Sequence, residues 1–165
     1  MKTFKTILAA VLFLSATNAA VAQETVQASA TAQIIVELSV EKVHDINFGE
    51  LVLNTTANMD VVEGEYNNMN GSPQFGKFFV DATQYASIAI SWTSTDLANG
   101  AEELVYTPQV AHTTDAEAEN GTAFEEGDFI ANEADYFLIG GTLVVPTGSP
   151  AGTYTGSFTL TAEIN

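Results

Sequence analysis

The sequence predicts an all-β protein, a two-sheet antiparallel sandwich of about 7–9 strands that follows a cleaved signal peptide. Three observations predict it. Apolar and polar residues alternate at both ends of the mature chain, turns rich in Gly, Asn and Pro separate short apolar runs, and no segment after the signal has helical periodicity. The chain is 46% hydrophobic and 10% aromatic, a composition that favours a folded domain over disorder.

The N-terminal residues have the three parts of a secretory signal peptide. Lys2 and Lys5 form a positive start, an apolar run covers residues 7–14, and Ala20-Val21-Ala22 supplies the small-residue cleavage site. The apolar run is shorter than the roughly 20 residues of a membrane span. We therefore expect residues 1–22 to be removed, leaving no membrane span. The protein is then exported to the cell surface or the medium, with the periplasm as the remaining alternative.

The strong negative charge of the chain excludes nucleic acid as a partner. The chain carries 21 acidic residues against four Lys and Arg, for a formal net charge of −17. Removal of the signal peptide leaves Lys42 and Lys77 as the only lysines, and no arginine is present. A nucleic-acid partner needs clustered Lys or Arg, so we expect none. Since the chain also has no cysteine, residues 23–165 must fold as a single domain without disulfides, which a chain of this length can do.

The first half of the mature chain predicts one overlong strand and several short ones. Every second residue from Val26 to Val40 is apolar, which exceeds the usual strand of about 5–6 residues. This run either bends into both sheets, or its front half extends beyond the domain. In residues 45–53 the apolar parity changes at Gly49, which predicts a glycine bulge in a strand.

The remaining elements follow from alternation and turn signals. Paired glycines mark a break within one strand, and an Asn-Gly pair marks a hairpin turn. The predicted elements are loop 67–73, strand 78–81, strand 86–93, turn 99–100, strand 104–111, acidic loop 113–128, strand 135–145 with a break at residues 140–141, turn 146–152 and strand 154–164.

No pattern of residues predicts catalysis, a cofactor or a metal centre. The two histidines, His44 and His112, are far apart in the sequence, and no serine has the context of an activated nucleophile. Zinc sites need three or four ligands at local spacing, which these histidines do not supply. We interpret both as ordinary surface or rim residues and predict a non-enzymatic protein. A hydrolase acting through paired carboxylates is the least favoured hypothesis, since pairs are uninformative in so acidic a chain.

The acidic loop is the one segment in which a ligand site could be hidden. Alternating carboxylates on a flexible loop can converge on calcium, but their spacing does not match an EF-hand. Surface aromatic side chains could add contacts to a glycan or a cationic partner. We interpret the loop as solvated and keep ligand binding as the alternative. The residues concerned are Asp115, Glu117, Glu119, Glu125, Glu126 and Asp128, together with Tyr66, Tyr85 and Tyr106.

Several motifs resemble those of a known family. After the signal peptide and the Ala/Thr-rich alternating start come Ile46-Asn47-Phe48-Gly49 and the closing motifs IGGTLVVP at 139–146 and AGTYTGSFTLT at 151–161. The mature chain resembles the secreted bacterial domain-of-unknown-function 4402 family, and more loosely spore-coat-U-type and fimbrial subunit domains. The resemblance implies an immunoglobulin-like sandwich at or outside the cell envelope, without enzymatic residues. Residues 113–128 depart from the family pattern in length and acidity.

The alternating ends are the best indication of function. A fold that starts with an overlong strand and stops on a strand can leave sheet edges open to a neighbouring molecule, as in donor-strand assembly of pilins. The simpler interpretation, which the sequence favours, is that both terminal strands pair within the same domain. We predict an exported structural or adhesive cell-surface protein, with strand exchange between copies as its mode of self-association. The alternative is an extracellular binding module for calcium, a cationic partner, a cell-surface protein or a glycan.

Overall fold

A computed structural model describes residues 29–165, and the predicted signal peptide lies outside the described residues. In this part of the chain all regular elements are β-strands and all strand pairs are antiparallel. The prediction of an all-β sandwich is confirmed. The strands are β1 Leu38–His44, β2 Thr55–Asp60, β3 Glu65–Asn67, β4 Gly76–Ala82, β5 Ser87–Ser94, β6 Leu97–Asn99, β7 Glu102–Leu104, β8 Tyr106–Thr113, β9 Thr122–Ala123, β10 Gly127–Ile130, β11 Asp135–Val145 and β12 Phe158–Ile164.

Two sheets form the sandwich, and β11 is the centre of the larger one. That sheet has the order β1-β4-β11-β2-β3, with β8 on the opposite side of β11 and β9 beside β8. On one side, β11 pairs with β4 through its first half and with β2 through its second half. The smaller sheet has the order β10-β5-β12, and β6 and β7 form a separate hairpin. Within the described residues, β1 and β12 each pair along one side only.

Two apolar clusters fill the interior because alternate residues of the strands point inward. The first contains residues of both sheets, among them Phe137 of β11 and Ile88 and Ile90 of β5. The second surrounds β2 and the second half of β11, with Met59 and Leu143 at its centre. Each fully buried side chain of this kind contributes about 1.5–3 kcal/mol. Ile46 and Phe158 pack against both clusters.

Of the two alternatives for the overlong N-terminal run, the described residues fit the second, in which its front half is not part of the sandwich. β1 begins only at Leu38, and residues 29–37 belong to no strand. The reason is the partner: β4 pairs with β1 from Leu38 onward, and one further main-chain bond joins Thr83 to Glu37. Before Glu37 no neighbour is available, so Ile34 is 93% exposed and Ile35 is 63% exposed. Residues 26–28 of the predicted strand lie outside the described residues.

Other boundaries differ for local reasons. Residues 45–53 form no strand, because their pairing consists of two isolated bridges, Asn47 with Gln74 and Glu50 with Asn70. The bulge predicted at Gly49 is not found, because no strand forms there, although Gly49 does have a positive φ of 69°. β7 and β8 replace the single strand predicted at 104–111, β9 and the start of β10 lie in the predicted acidic loop, and β12 starts only at Phe158. β11 covers the whole strand predicted at 135–145.

Candidate functional site

A cleft separates two segments at one end of the sandwich. We call it the edge cleft; residues 42–53 form one wall and residues 149–158 form the other. It consists of two adjoining cavities of about 450 and 540 Å³, which share Ile46, Phe48, Leu97 and Tyr154. Its surface is part apolar and part polar: the apolar part includes Leu104, Leu143 and Val145, and the polar part includes Lys42, His44, Asp45 and Glu50.

The walls of the edge cleft have unpaired main-chain groups. In the first wall, Asn47 forms main-chain hydrogen bonds with Gln74, and Glu50 forms them with Asn70, at N–O distances of 2.8–3.0 Å. In the second wall, Thr155 pairs with Ala98 at 2.8 and 3.0 Å. Within the described residues, the intervening positions make no main-chain hydrogen bond to the main chain. These positions are Ile46, Phe48, Tyr154 and Gly156. In the described residues these main-chain groups of both walls pair with no other strand, so they are available to a further strand.

The six predicted loop carboxylates do not assemble into a metal site. No group of three or more His, Cys, Asp or Glu side chains in residues 29–165 is placed to hold a metal ion. Three of the six accept hydrogen bonds that shape the fold. Glu126 accepts from the main chain of Trp92 at 2.7 Å, Asp128 from Asn165 at 2.9 Å, and Asp115 from the main chain of Glu117 at 2.9 Å.

The three tyrosines suggested as ligand contacts have different environments. Tyr85 is 76% exposed, whereas Tyr106 is 7% exposed and donates its hydroxyl to the carbonyl of Gly140 at 2.7 Å. Burial raises the pKa of Tyr106 above its ordinary value of 10.0. Tyr66 stacks on Phe75, and burial also raises the pKa of Tyr66. The structure therefore does not bring these three rings together.

A buried polar network is the feature that the sequence did not indicate. Asp135 is fully buried, and its Oδ1 accepts hydrogen bonds from His112 Nε2 and from the Asn132 side chain, both at 2.7 Å. Its Oδ2 accepts from the Asn132 main-chain N–H at 2.8 Å. The Asn132–Asp135 spacing is local and readable from the sequence, but the approach of His112 depends on the pairing of β8 with β11.

The two histidines therefore have unequal roles. His44 is exposed at the end of β1, as a surface residue would be. His112 has a side chain only 21% exposed, paired with Asp135 and packed against the rings of Phe124, Phe129 and Phe137. Within the described residues, no serine or threonine hydroxyl is hydrogen-bonded to His112. The pair thus lacks the nucleophile that a catalytic triad requires.

Lys77 anchors the acidic loop to the larger sheet. It is 7% exposed, and its Nζ donates to the carbonyls of Ala116 at 2.7 Å and Ala118 at 2.9 Å. The same Nζ lies 6.0 Å from the ring centroid of Tyr136, within the range of a cation–π contact. These contacts border a hollow of about 370 Å³, which Glu117 and Glu119 also line.

Replacing Lys77 with methionine is expected to lower the free energy of unfolding by about 1.5–3 kcal/mol, the value of hydrogen bonds to a charged group. Methionine keeps most of the apolar stem but cannot donate to Ala116 and Ala118. Hydrogen exchange in residues 114–121 should become faster than in the remainder of the protein. Lys42→Met is the control: its ion pair with Asp45 is exposed, so a change within about 0.5 kcal/mol is expected. Equal effects of the two substitutions would contradict the anchoring role.

The fold and the cleft define the class of protein as an antiparallel β-sandwich domain. A family model described as a domain of unknown function (DUF4402) matches residues 38–163, from the first residue of β1 into β12. The chain belongs to this family, which confirms the family predicted from its motifs. No curated protein matches the chain. Among residues 29–165 there is no helix long and apolar enough to cross a membrane.

Proposed function

We propose that this protein is an exported, non-enzymatic structural or adhesive protein of the cell surface, whose copies associate by adding a strand to an open sheet edge. One observation carries the proposal: both walls of the edge cleft have main-chain groups that pair with no other main-chain group in the described residues. An unpaired edge beside apolar surface attracts a strand from another molecule, because the added strand satisfies the polar groups and covers the apolar ones.

The use of the polar side chains supports a structural role over catalysis. His112 and Asp135 bind each other, and Asn132 occupies the remaining acceptor sites of the carboxylate. Glu126 and Asp128 lie at the end of the acidic loop. Glu126 accepts a hydrogen bond from the main-chain N–H of Trp92 in β5, and Asp128 accepts one from the side chain of Asn165. His112, Asp135, Glu126 and Asp128 thus have structural partners, whereas main-chain groups in both walls of the edge cleft pair with no other main-chain group in the described residues.

The test is the oligomeric state of the protein without residues 1–22. We expect concentration-dependent association in size-exclusion chromatography with light scattering, including after unfolding and refolding, which opens exchange between copies. A variant in which residues 25–36 are replaced by a Gly/Ser sequence of equal length should remain monomeric. Its unfolding temperature should equal that of the unchanged monomer, because the described part of this segment is exposed and belongs to no strand. A protein that is monomeric at every concentration and after refolding would contradict the proposal.

A further inference from the structure

We propose that the strand added to the edge cleft is residues 26–36 of a second copy, inserted between the two walls with Ile34 facing the cleft floor. This inference rests on the proposed function, and it names the donor segment, its buried face and the direction of assembly. Three properties of the chain support it: the length and pattern of the segment, its charge, and the place at which it leaves the sandwich.

The segment matches the cleft in pattern and is long enough to cross it. A strand rises about 3.3 Å per residue, so residues 26–36 would extend over roughly 36 Å, more than the stretch 153–157 of the second wall that lies outside turns and bends. In a strand, alternate side chains share a face. One face of this segment carries Val26, Ala28, Ala30, Ala32, Ile34 and Val36. The opposite face is polar apart from Ile35, so the apolar face suits the cleft floor and the polar face suits solvent.

The segment is also free of charge. Residues 25–36 contain no Asp, Glu, Lys or Arg, although the whole chain has a formal net charge of −17. Two such chains repel each other as a whole, and burying an unpaired carboxylate in the cleft would be costly. A neutral segment avoids the second cost and adds no charge at the contact itself. The described part of it, residues 29–36, is also not engaged in any strand of its own sandwich.

The position of the segment favours a second copy over its own chain. β1 pairs with Ala82 through Leu38 at one end and with Lys77 through His44 at the other, and the edge cleft lies at the second end, where Lys42 and His44 line it. Thr83 binds both main-chain groups of Glu37, at 3.0 Å each, which continues the course of β1 away from the cleft. To reach its own cleft, the segment would have to reverse immediately before Glu37. A donor at one end and an acceptor at the other produce a head-to-tail contact, which builds a filament or, where the rotation between copies closes, a ring.

The first test compares Ile34→Asp with Ile35→Asp in the protein without residues 1–22. Both side chains are exposed, at 93% and 63%, and both substitutions add one negative charge, so the pair is matched in charge and in expected monomer stability. Ile34→Asp places a carboxylate on the cleft floor and should weaken association about tenfold or more. Ile35→Asp places it in solvent and should weaken association less than about threefold. Equal effects would overturn the proposed insertion face.

The second test uses engineered cysteines, since the chain has none of its own. Thr155 is exposed, and its main-chain groups pair with Ala98 rather than with the cleft. An inserted strand would therefore meet it at a non-hydrogen-bonded position, where Cα atoms lie about 4.5 Å apart, close enough for a disulfide. A Thr155→Cys protein is mixed with a second copy of the chain, which has a tag of different length and carries one cysteine within residues 26–36. The second cysteine replaces Ser29, Thr31 or Gln33 on the polar face, or Ala30 or Ala32 on the apolar face.

When the second cysteine lies on the polar face, we expect a mixed disulfide dimer. When it lies on the apolar face, we expect no cross-link. If the two cysteines placed in one chain give only a cross-linked monomer, the occupant is the chain's own segment and the inference is overturned. If association persists without any cross-link and without the difference between Ile34→Asp and Ile35→Asp, the inference is wrong while the proposed function stands. Loss of association in every arm, including the unchanged protein, would overturn both.

Discussion

Replacing Asp135 with alanine is expected to lower the free energy of unfolding by about 3–5 kcal/mol, because it removes the charged acceptor of three hydrogen bonds, each worth about 1.5–3 kcal/mol. The carboxylate is fully buried and accepts three hydrogen bonds, from His112 Nε2 and from two donors of Asn132. Alanine leaves these donors without their acceptor and creates a small cavity at the start of β11. The loss should appear in urea denaturation followed by the fluorescence of Trp92.

The controls separate the network from a general effect of removing a carboxylate. Asp128→Ala removes an exposed carboxylate that binds only Asn165, so a change within about 0.5 kcal/mol is expected. His112→Ala removes one charge-assisted hydrogen bond and ring contacts with three phenylalanines, and should cost at least about 1.5–3 kcal/mol. If Asp135→Ala is no more destabilising than Asp128→Ala, the network does not stabilise the fold as we infer.

Local patterns were sufficient to predict β4, β5, β8, β11 and β12, whereas β2, β3, β6, β9 and β10 were not predicted as strands. Alternation depends only on which face of a strand is buried, so β5 and β11 are found close to their predicted limits. The errors occur where pairing, rather than pattern, decides. Residues 29–36 alternate as regularly as β1, yet they are not a strand in the described chain, because no neighbouring strand reaches them. A sequence pattern states that a segment suits a strand, but it does not state which molecule supplies the partner.

The candidate site was predictable only in part for the same reason. The prediction that open edges matter came from the alternating ends of the chain. The described part of the segment before β1 is exposed and belongs to no strand. The edge cleft itself was not predictable, since it depends on residues 42–53 and 149–158, which meet only after both sheets have formed. The contact of His112 with Asp135 likewise depends on the register of β8 against β11. Local sequence contains no information on such distant contacts.

The large acidic charge is compatible with a protein that has open edges. An exposed sheet edge invites non-specific pairing, and charged side chains are one of the devices that oppose it. Here the charge is spread over 21 acidic residues, while residues 25–36 are neutral. Repulsion between copies opposes general aggregation, and the neutral segment adds no further charge at the contact that it makes. Acidity and strand addition are thus complementary features of the same chain.

Gly141→Ala is expected to lower the free energy of unfolding by about 2–5 kcal/mol, from backbone strain and overpacking together. Gly141 has φ at 124°, a conformation that residues with a Cβ rarely adopt. An added Cβ would also overlap the carbonyl oxygen of Thr107 and lie 2.8 Å from the Gln109 nitrogen, both in the backbone of β8. Because β8 pairs with β11 across this point, neither strand can move without breaking their hydrogen bonds.

Gly148→Ala is the matched control for this substitution. Gly148 lies in the turn after β11, where an added Cβ meets nothing within 4 Å. The same chemical change should therefore be neutral, or stabilising by about 0.4–1 kcal/mol through reduced freedom of the unfolded chain. Denaturation of the two variants in parallel measures the difference directly. If Gly141→Ala unfolds at the same denaturant concentration as Gly148→Ala, the close approach of β8 to β11 at the paired glycines is wrong. The register that brings His112 to Asp135 would then be wrong as well, because the same strand pair determines both contacts.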